Sequence, residues 1–315
     1  MRYYSNKSQY YFDIKVHIDA FSISISEYTS YIYAYGNGDT IASIKRIVKT
    51  DVNGSNVFFY KTSINSDINI PGADFVWSMA CSPIRPIAIS VASFGNYTKA
   101  YFIDTILNRI IGEARGFEES LNYFSPDGKK LYSCKEDTIS VYDGMDFSLR
   151  KTILSPEKSV NIMTFLPNGK KAYIAASDGG HVYTFDPIND EYGSAVDNVV
   201  LMDNYMAATH DSMKLYLPEI ASIEVFETIK ETKTKTIAGG GLYCGIATSP
   251  DHPYAFAITE VEGTYLEIIN TLSDEIINTM HIENGAMDVK VDKYAVGYIA
   301  NIDSQSVTVV NNALL

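Results

Sequence analysis

The chain is poor in the residues that usually announce a chemistry. It holds one tryptophan, five histidines and three cysteines in 315 residues. Cys81, Cys134 and Cys244 are an odd number without CxxC spacing, so neither a disulfide framework nor a thiolate metal site is implied. Cys81 and Cys134 stand in strand-like stretches, where a thiol serves as a small apolar filler. No HExxH, GxSxG or Walker-type sequence occurs, which removes the common zinc-protease, serine-hydrolase and nucleotide-loop signatures. No apolar run is long enough to cross a bilayer as a helix. Basic residues are scarce too: 25 Lys and Arg face 38 Asp and Glu, a net charge of -13. Binding to a nucleic-acid backbone needs clustered positive charge, so we expect no nucleic-acid partner. The opening Met1-Arg2-Tyr3-Tyr4-Ser5-Asn6-Lys7 is polar and carries no secretory apolar segment. With Met1 native, the expectation is a soluble cytoplasmic protein with no membrane association.

What the chain has is tyrosine and period. There are 24 Tyr against 14 Phe, a balance that suits half-buried strands with a packed ring and a wet hydroxyl. A unit returns about every 42 residues, seven times. Its clearest copies are Phe124-Ser125-Pro126-Asp127-Gly128-Lys129-Lys130-Leu131-Tyr132 and Phe165-Leu166-Pro167-Asn168-Gly169-Lys170-Lys171-Ala172-Tyr173. Aligned anchors fall at Ser26, Ser82, Ser125, Leu166, Thr209, Ser249 and Val291, in steps of 56, 43, 41, 43, 40 and 42 residues. Repeats of this length built from short strands predict an all-β, seven-bladed β-propeller with four antiparallel strands, a to d, per blade. Pro followed by Asp-Gly supplies the tight turn from a to b. Thr138-Ile139-Ser140-Val141-Tyr142-Asp143 alternates as the half-buried strand c. The long first step places an insertion in blade 1, around 36–70. The last unit lacks an outer strand, while a spare strand precedes the first, roughly 10–17. We expect that spare strand to complete blade 7 and remove an open edge. One domain over 1–315 then accounts for the chain.

Ser125-Pro126-Asp127-Gly128-Lys129-Lys130-Leu131-Tyr132 with Thr138-Ile139-Ser140-Val141-Tyr142-Asp143 resembles the YVTN-type repeat. That family forms seven-bladed propellers and includes surface-layer-like and lactonase-like members. The resemblance spans roughly 20–311 and implies fold far more than activity.

In this architecture the a-to-b turns lie on one face, and the d-to-a and b-to-c loops gather on the other. Nearly every loop of that upper face offers a carboxylate or an amide, so an acidic face is expected, with Arg115, Lys135 and Lys158 as its main positive groups. Five residues before each anchor stand Phe21, Trp77, Ser120, Asn161, Asn204, Cys244 and Ala286, a column facing the channel. Ligand-binding candidates are Asp74, Trp77, Asn122, Asn161, Asn204, Tyr205, Tyr243 and Asn284. Three constellations stay open. Glu119, Asn161, Asp203 and Asn204 are oxygen ligands suited to Ca²⁺ or Mg²⁺. Asp74, Glu119 and Asp203 with Trp77, Tyr205 and Tyr243 suit a cation. Cys244 with His281 or His17 suits nucleophilic catalysis. Catalytic candidates are thus Glu119, Asp203, Cys244 and His281. The leading expectation is a propeller that binds a small molecule or peptide, cationic or metal-associated, on the upper face. The alternatives are a metal-assisted lactonase, lyase or other hydrolase, and a scaffold that binds a protein partner on its rim.

Overall fold

A computed structural model describes residues 11–50, 56–62, 67–114, 116–117, 121–158, 160–176, 181–200 and 205–310. All its regular elements are strands, and among the described residues no helix is long and apolar enough to cross a membrane. The second unit is typical: Phe75–Cys81, Ile87–Phe94, Tyr97–Asp104 and Arg109–Ala114 follow one another as an antiparallel sheet. Units 3 and 4 repeat the pattern. In unit 1 the third strand, Thr40–Thr50, pairs with Asn56–Thr62 along most of its length and with Ile68–Asn69 at its start.

The chain closes on itself. Tyr11–Lys15 pairs with Ser306–Val310, running from Tyr11 opposite Val310 to Lys15 opposite Ser306, and becomes the outer strand of the last sheet. The first strands of successive units touch in turn, and that of the last touches that of the first, which makes the inner wall of a channel. The core among the described residues falls into clusters shared by consecutive units. The cluster of Ile23, Ile32, Tyr298 and Val309 bridges the last unit to the first. The arrangement is that of a β-propeller.

The sheet count corrects the expectation of seven: hydrogen bonding organises the strands into six sheets, with unequal strand numbers. Units 5 and 6 share one six-stranded sheet, because two connections that break pairing elsewhere continue here as strand. Lys214–Glu227 runs through the b-to-c corner of unit 5, and Thr232–Thr248 runs from its outer strand into the inner strand of unit 6. Glycine permits the second continuation. A Cβ at Gly239 would fall 1.7 Å from the Tyr243 hydroxyl, and one at Gly241 would fall 2.3 Å from the Glu260 carbonyl oxygen.

The lower face is held by a repeated clamp. Lys130, Lys171 and Lys214 each reach an acid 60 residues on, in the c-to-d turn of the next unit: Asp190 at 2.8 Å, Glu231 at 2.5 Å and Asp274 at 2.7 Å. Tyr132 and Tyr216 donate their hydroxyls to the same acids. The second lysine of the Lys-Lys-x-Tyr run is therefore an inter-unit tie. Asp190, Glu231 and Asp274 adopt positive φ, which closes their turns. Those turns also expose an apolar tip each, Ile188, Ile229 and Leu272.

At the seam between the last unit and the first sits a buried ion group. Arg46, 2% exposed, pairs with Asp292 and with Glu27 at 3.0 Å. The Tyr298 hydroxyl donates to Asp292 at 2.9 Å. Burial pushes the Asp292 carboxyl up, while Arg46, the Val296 N–H and Tyr298 pull it back. Asp292, one residue after the expected anchor Val291, makes the turn hydrogen bond that Ser82 and Ser125 make in their units.

Candidate functional site

The inner strands begin at the upper face with a shared irregularity. Pairing skips one residue between Ala20 and Ser22, Val76 and Ser78, Val160 and Ile162, Tyr243 and Gly245, and Ala286 and Asp288. The skipped residues are Phe21, Trp77, Asn161, Cys244 and Met287. The column read from sequence is thus largely a column of β-bulges, which re-aim side chains out of the strand's alternation. In the last unit the bulge is Met287, and Ala286 is buried.

Trp77 gains most from this. It is 53% exposed, its ring lies 4.6 Å from Phe75, and Phe75 lies 5.5 Å from Phe21. An aromatic step therefore lines the channel mouth between units 1 and 2. Acids flank it. Asp74 is exposed, and its carboxylate accepts from the Gly95 N–H. Asp19 accepts from Gln305 at 2.8 Å and Asn37 at 3.3 Å. Further along the same face Glu136, Asp137, Glu262, Glu283 and Asp303 are exposed.

Below the mouth lies a polar set that sequence reasoning missed. Asp288, 5% exposed, accepts from the Ser22 hydroxyl at 2.6 Å, the Ile23 N–H at 3.2 Å and Lys290 at 2.7 Å. The Ser22 hydroxyl also meets Tyr35 at 3.1 Å. Burial and then Asp288 push the Tyr35 hydroxyl up, so it stays protonated. The available signal was charge at alternate positions of an inner strand, Asp288 and Lys290.

A second upper-face group joins units 3 and 4. Glu157 accepts from His181 Nδ1 at 2.6 Å, from the His181 N–H at 3.0 Å and from the Tyr183 hydroxyl at 3.0 Å. Burial lifts this carboxyl, and the three donors together more than offset it and bring the carboxyl below its ordinary value.

The other candidates divide. Tyr205 is half-buried and donates its hydroxyl to the Met287 carbonyl at 3.1 Å, and Asn284 is exposed. Asn122 is buried in its strand. Tyr243, expected to cover a ligand, is fully buried and donates its hydroxyl to Glu267. Burial and then Glu267 hold that hydroxyl well above the ordinary tyrosine range. The Cys244 with His281 pair is also corrected. The Cys244 sulfur lies 3.8 Å and 3.7 Å from the Ile258 and Ala286 carbonyl oxygens. Tyr243, Thr259, Tyr265 and His281 are successive cross-strand partners, so His281 stands three strand spacings, roughly 14 Å, from the inner strand. Its ring rests edge-on against Tyr265. His17, the other base considered, is exposed at the start of unit 1. Of the metal candidates, Glu119, Asp203 and Asn204 lie outside the described residues, as does the side chain of Asn161; Ser120 and Arg115 lie outside them too. Among the described residues, no group of three His, Cys, Asp or Glu is disposed to hold a metal ion. On the lower face, a cleft of about 470 Å³ is lined by turn residues of units 3 and 4, including Asp127, Lys129 and Asn168.

No protein-family model matches the sequence, and no curated protein matches it. Among solved structures, the hydrazine synthase of Kuenenia stuttgartiensis matches with a TM-score of 0.73, over 96% of this chain and 98% of that chain, at 15% identity. At that identity the likeness is one of fold, a propeller-type protein, and carries no activity across.

Proposed function

We propose that this chain is a binding propeller that takes a positively charged small molecule or peptide at the mouth of its channel. The observation that supports this most is Trp77, bulged out of an inner strand, half-exposed and backed by Phe75 and Phe21. An aromatic face beside carboxylates attracts a cation through its ring quadrupole and their charge. Asp74 and Asp19 supply the charge, while the fixed ring holds the loops in place. The ring itself we read as seven repeat units of the YVTN type, two of them sharing one sheet; the core clusters that separate successive units support that count.

Trp77 is the single tryptophan, so its fluorescence reports on this place alone. Titration with tetramethylammonium and with a lysine-rich peptide should quench or shift it saturably, and less so at high salt. A linear response without saturation would remove the reading. A second reading, hydrolysis, draws on the Glu157–His181 hydrogen bond, which orients an imidazole as a general base needs. Turnover of lactone or ester substrates that His181→Gln abolishes would favour it.

A further inference from the structure

Units 5 and 6 bury a glutamate at the same register. Glu224 lies opposite Thr236, and Glu267 lies opposite Thr279; the two are 6% and 4% exposed. In unit 5 the charge is answered from within. Lys233 approaches Glu224 at 2.5 Å, and the Thr236 hydroxyl donates at 3.1 Å and 3.0 Å. The counterpart of Lys233 in unit 6 is Ile276: Lys233 stands opposite Phe226, and Ile276 opposite Ile269. Among the described residues, the Tyr243 hydroxyl is the partner of the Glu267 carboxylate. One neutral donor is a poor match for a buried negative charge.

Two further observations point to the same spot. The Thr259 hydroxyl is buried without a hydrogen-bond partner, and Thr259 is 2% exposed. It shares a sheet face with Glu267, since Thr259 lies opposite Tyr265, two residues before the glutamate. Above both sits Gly240, itself exposed. A Cβ there would rest 3.5 Å from Glu267 Oε1 and 4.0 Å from the Thr259 methyl, Cγ2, so the missing side chain leaves room beside the carboxylate, with the Thr259 side chain next to it.

We propose that a primary ammonium group of a ligand enters beside Gly240 and binds Glu267 Oε1 and Thr259 Oγ1. It takes in unit 6 the role that Lys233 plays in unit 5. An ammonium carries three donors and no acceptor, which fits a carboxylate oxygen and an unpartnered hydroxyl. A quaternary ammonium offers no N–H to either group. This site deepens the cation reading of the upper face and rests on it.

The test is thermal melting in methylammonium chloride, potassium chloride and tetramethylammonium chloride at equal ionic strength. Methylammonium should raise Tm above both controls by roughly 2 °C. The isosteric Glu267→Gln should abolish the difference, and Gly240→Ala, which narrows that room without a clash, should reduce it. Ile276→Lys should raise Tm without any ligand and remove the response. An equal rise with potassium would overturn the ammonium assignment in favour of an alkali ion. A methylammonium response that survives Glu267→Gln would overturn the site; if Trp77→Ala then removed it, the cation reading of the upper face would stand without this pocket. No methylammonium response, with Trp77 fluorescence still answering tetramethylammonium, would overturn the pocket alone, whereas silence in both assays would overturn the two readings together.

Discussion

On the lower face of the ring, acid after acid is matched. Asp190, Glu231 and Asp274 each receive a lysine from the preceding unit, and two of them a tyrosine hydroxyl as well. On the upper face Asp74, Glu136, Asp137, Glu262, Glu283 and Asp303 are exposed and Glu267 is buried beside a neutral phenol, while Asp288 and Glu157 are answered by Lys290 and His181. Both faces are made by the same strands, so the difference is one of side-chain assignment at fixed backbone positions. Units 5 and 6 show it most sharply, because they share a sheet and differ at Lys233 against Ile276. One face carries charge that is consumed by the fold; the other keeps, beside its own paired acids, charge still available to something outside it.

The contrast can be broken most severely where charge is deepest. Asp292→Ala leaves Arg46 buried with Glu27 as its remaining acid, and such uncompensated burial costs about 3–5 kcal/mol. Chemical denaturation should show the loss, and a change under 1 kcal/mol would mean that water reaches the guanidinium. Next comes the clamp. Lys214→Met strips Asp274, whose side chain is 12% exposed, of its cation and should cost about 2 kcal/mol. Lys233→Met would turn unit 5 into a copy of unit 6. A loss of about 1 kcal/mol is expected, together with a new methylammonium response at Glu224. Trp77→Ala should move stability by no more than about 0.5 kcal/mol while weakening cation binding. A large fall in Tm would instead make the aromatic step part of the packing.

Acid should act on the lower turns. Burial lifts the Asp127 and Asp211 carboxyls, but hydrogen bonds from Ser125 and Lys129, and from Thr209 and Met213, bring both below their ordinary values. A carboxyl lowered by folding contributes stability above its unfolded pKa and loses it as pH falls through the folded one. Melting temperature should therefore hold steady from pH 8 to 6 and fall below about pH 4.

The turns were legible because Pro-Asp-Gly and Pro-Asn-Gly dictate backbone angles locally. The closing strand was legible because an unmatched strand at each end of the series leaves one solution. The blade count was not, since a run of three glycines reads as a loop and here continues a strand. The cause of the column at the channel was not legible: most of its residues are bulges, and a bulge shifts the alternation on which inside and outside are judged. Tyr243 was placed in the right region with the wrong exposure. Glu267 and Thr259 were missed because they lie in regular strands, where sequence pattern gives burial but not the absence of a partner. Lys233 against Ile276 becomes visible only once the outer strands are set in register.

The closing ladder has a mechanical consequence. Tyr11 and Val310 lie opposite each other at the same end of the antiparallel pair between Tyr11–Lys15 and Ser306–Val310. A load applied between those two points opens the rungs one at a time, as a zip, and does not strain them together in shear. A ring held together by its inter-unit cores can thus yield to a small pull at one seam. Tethering by residues on either side of that pair would make the propeller a weak mechanical link, whereas tethering through two lower turns would load several units at once.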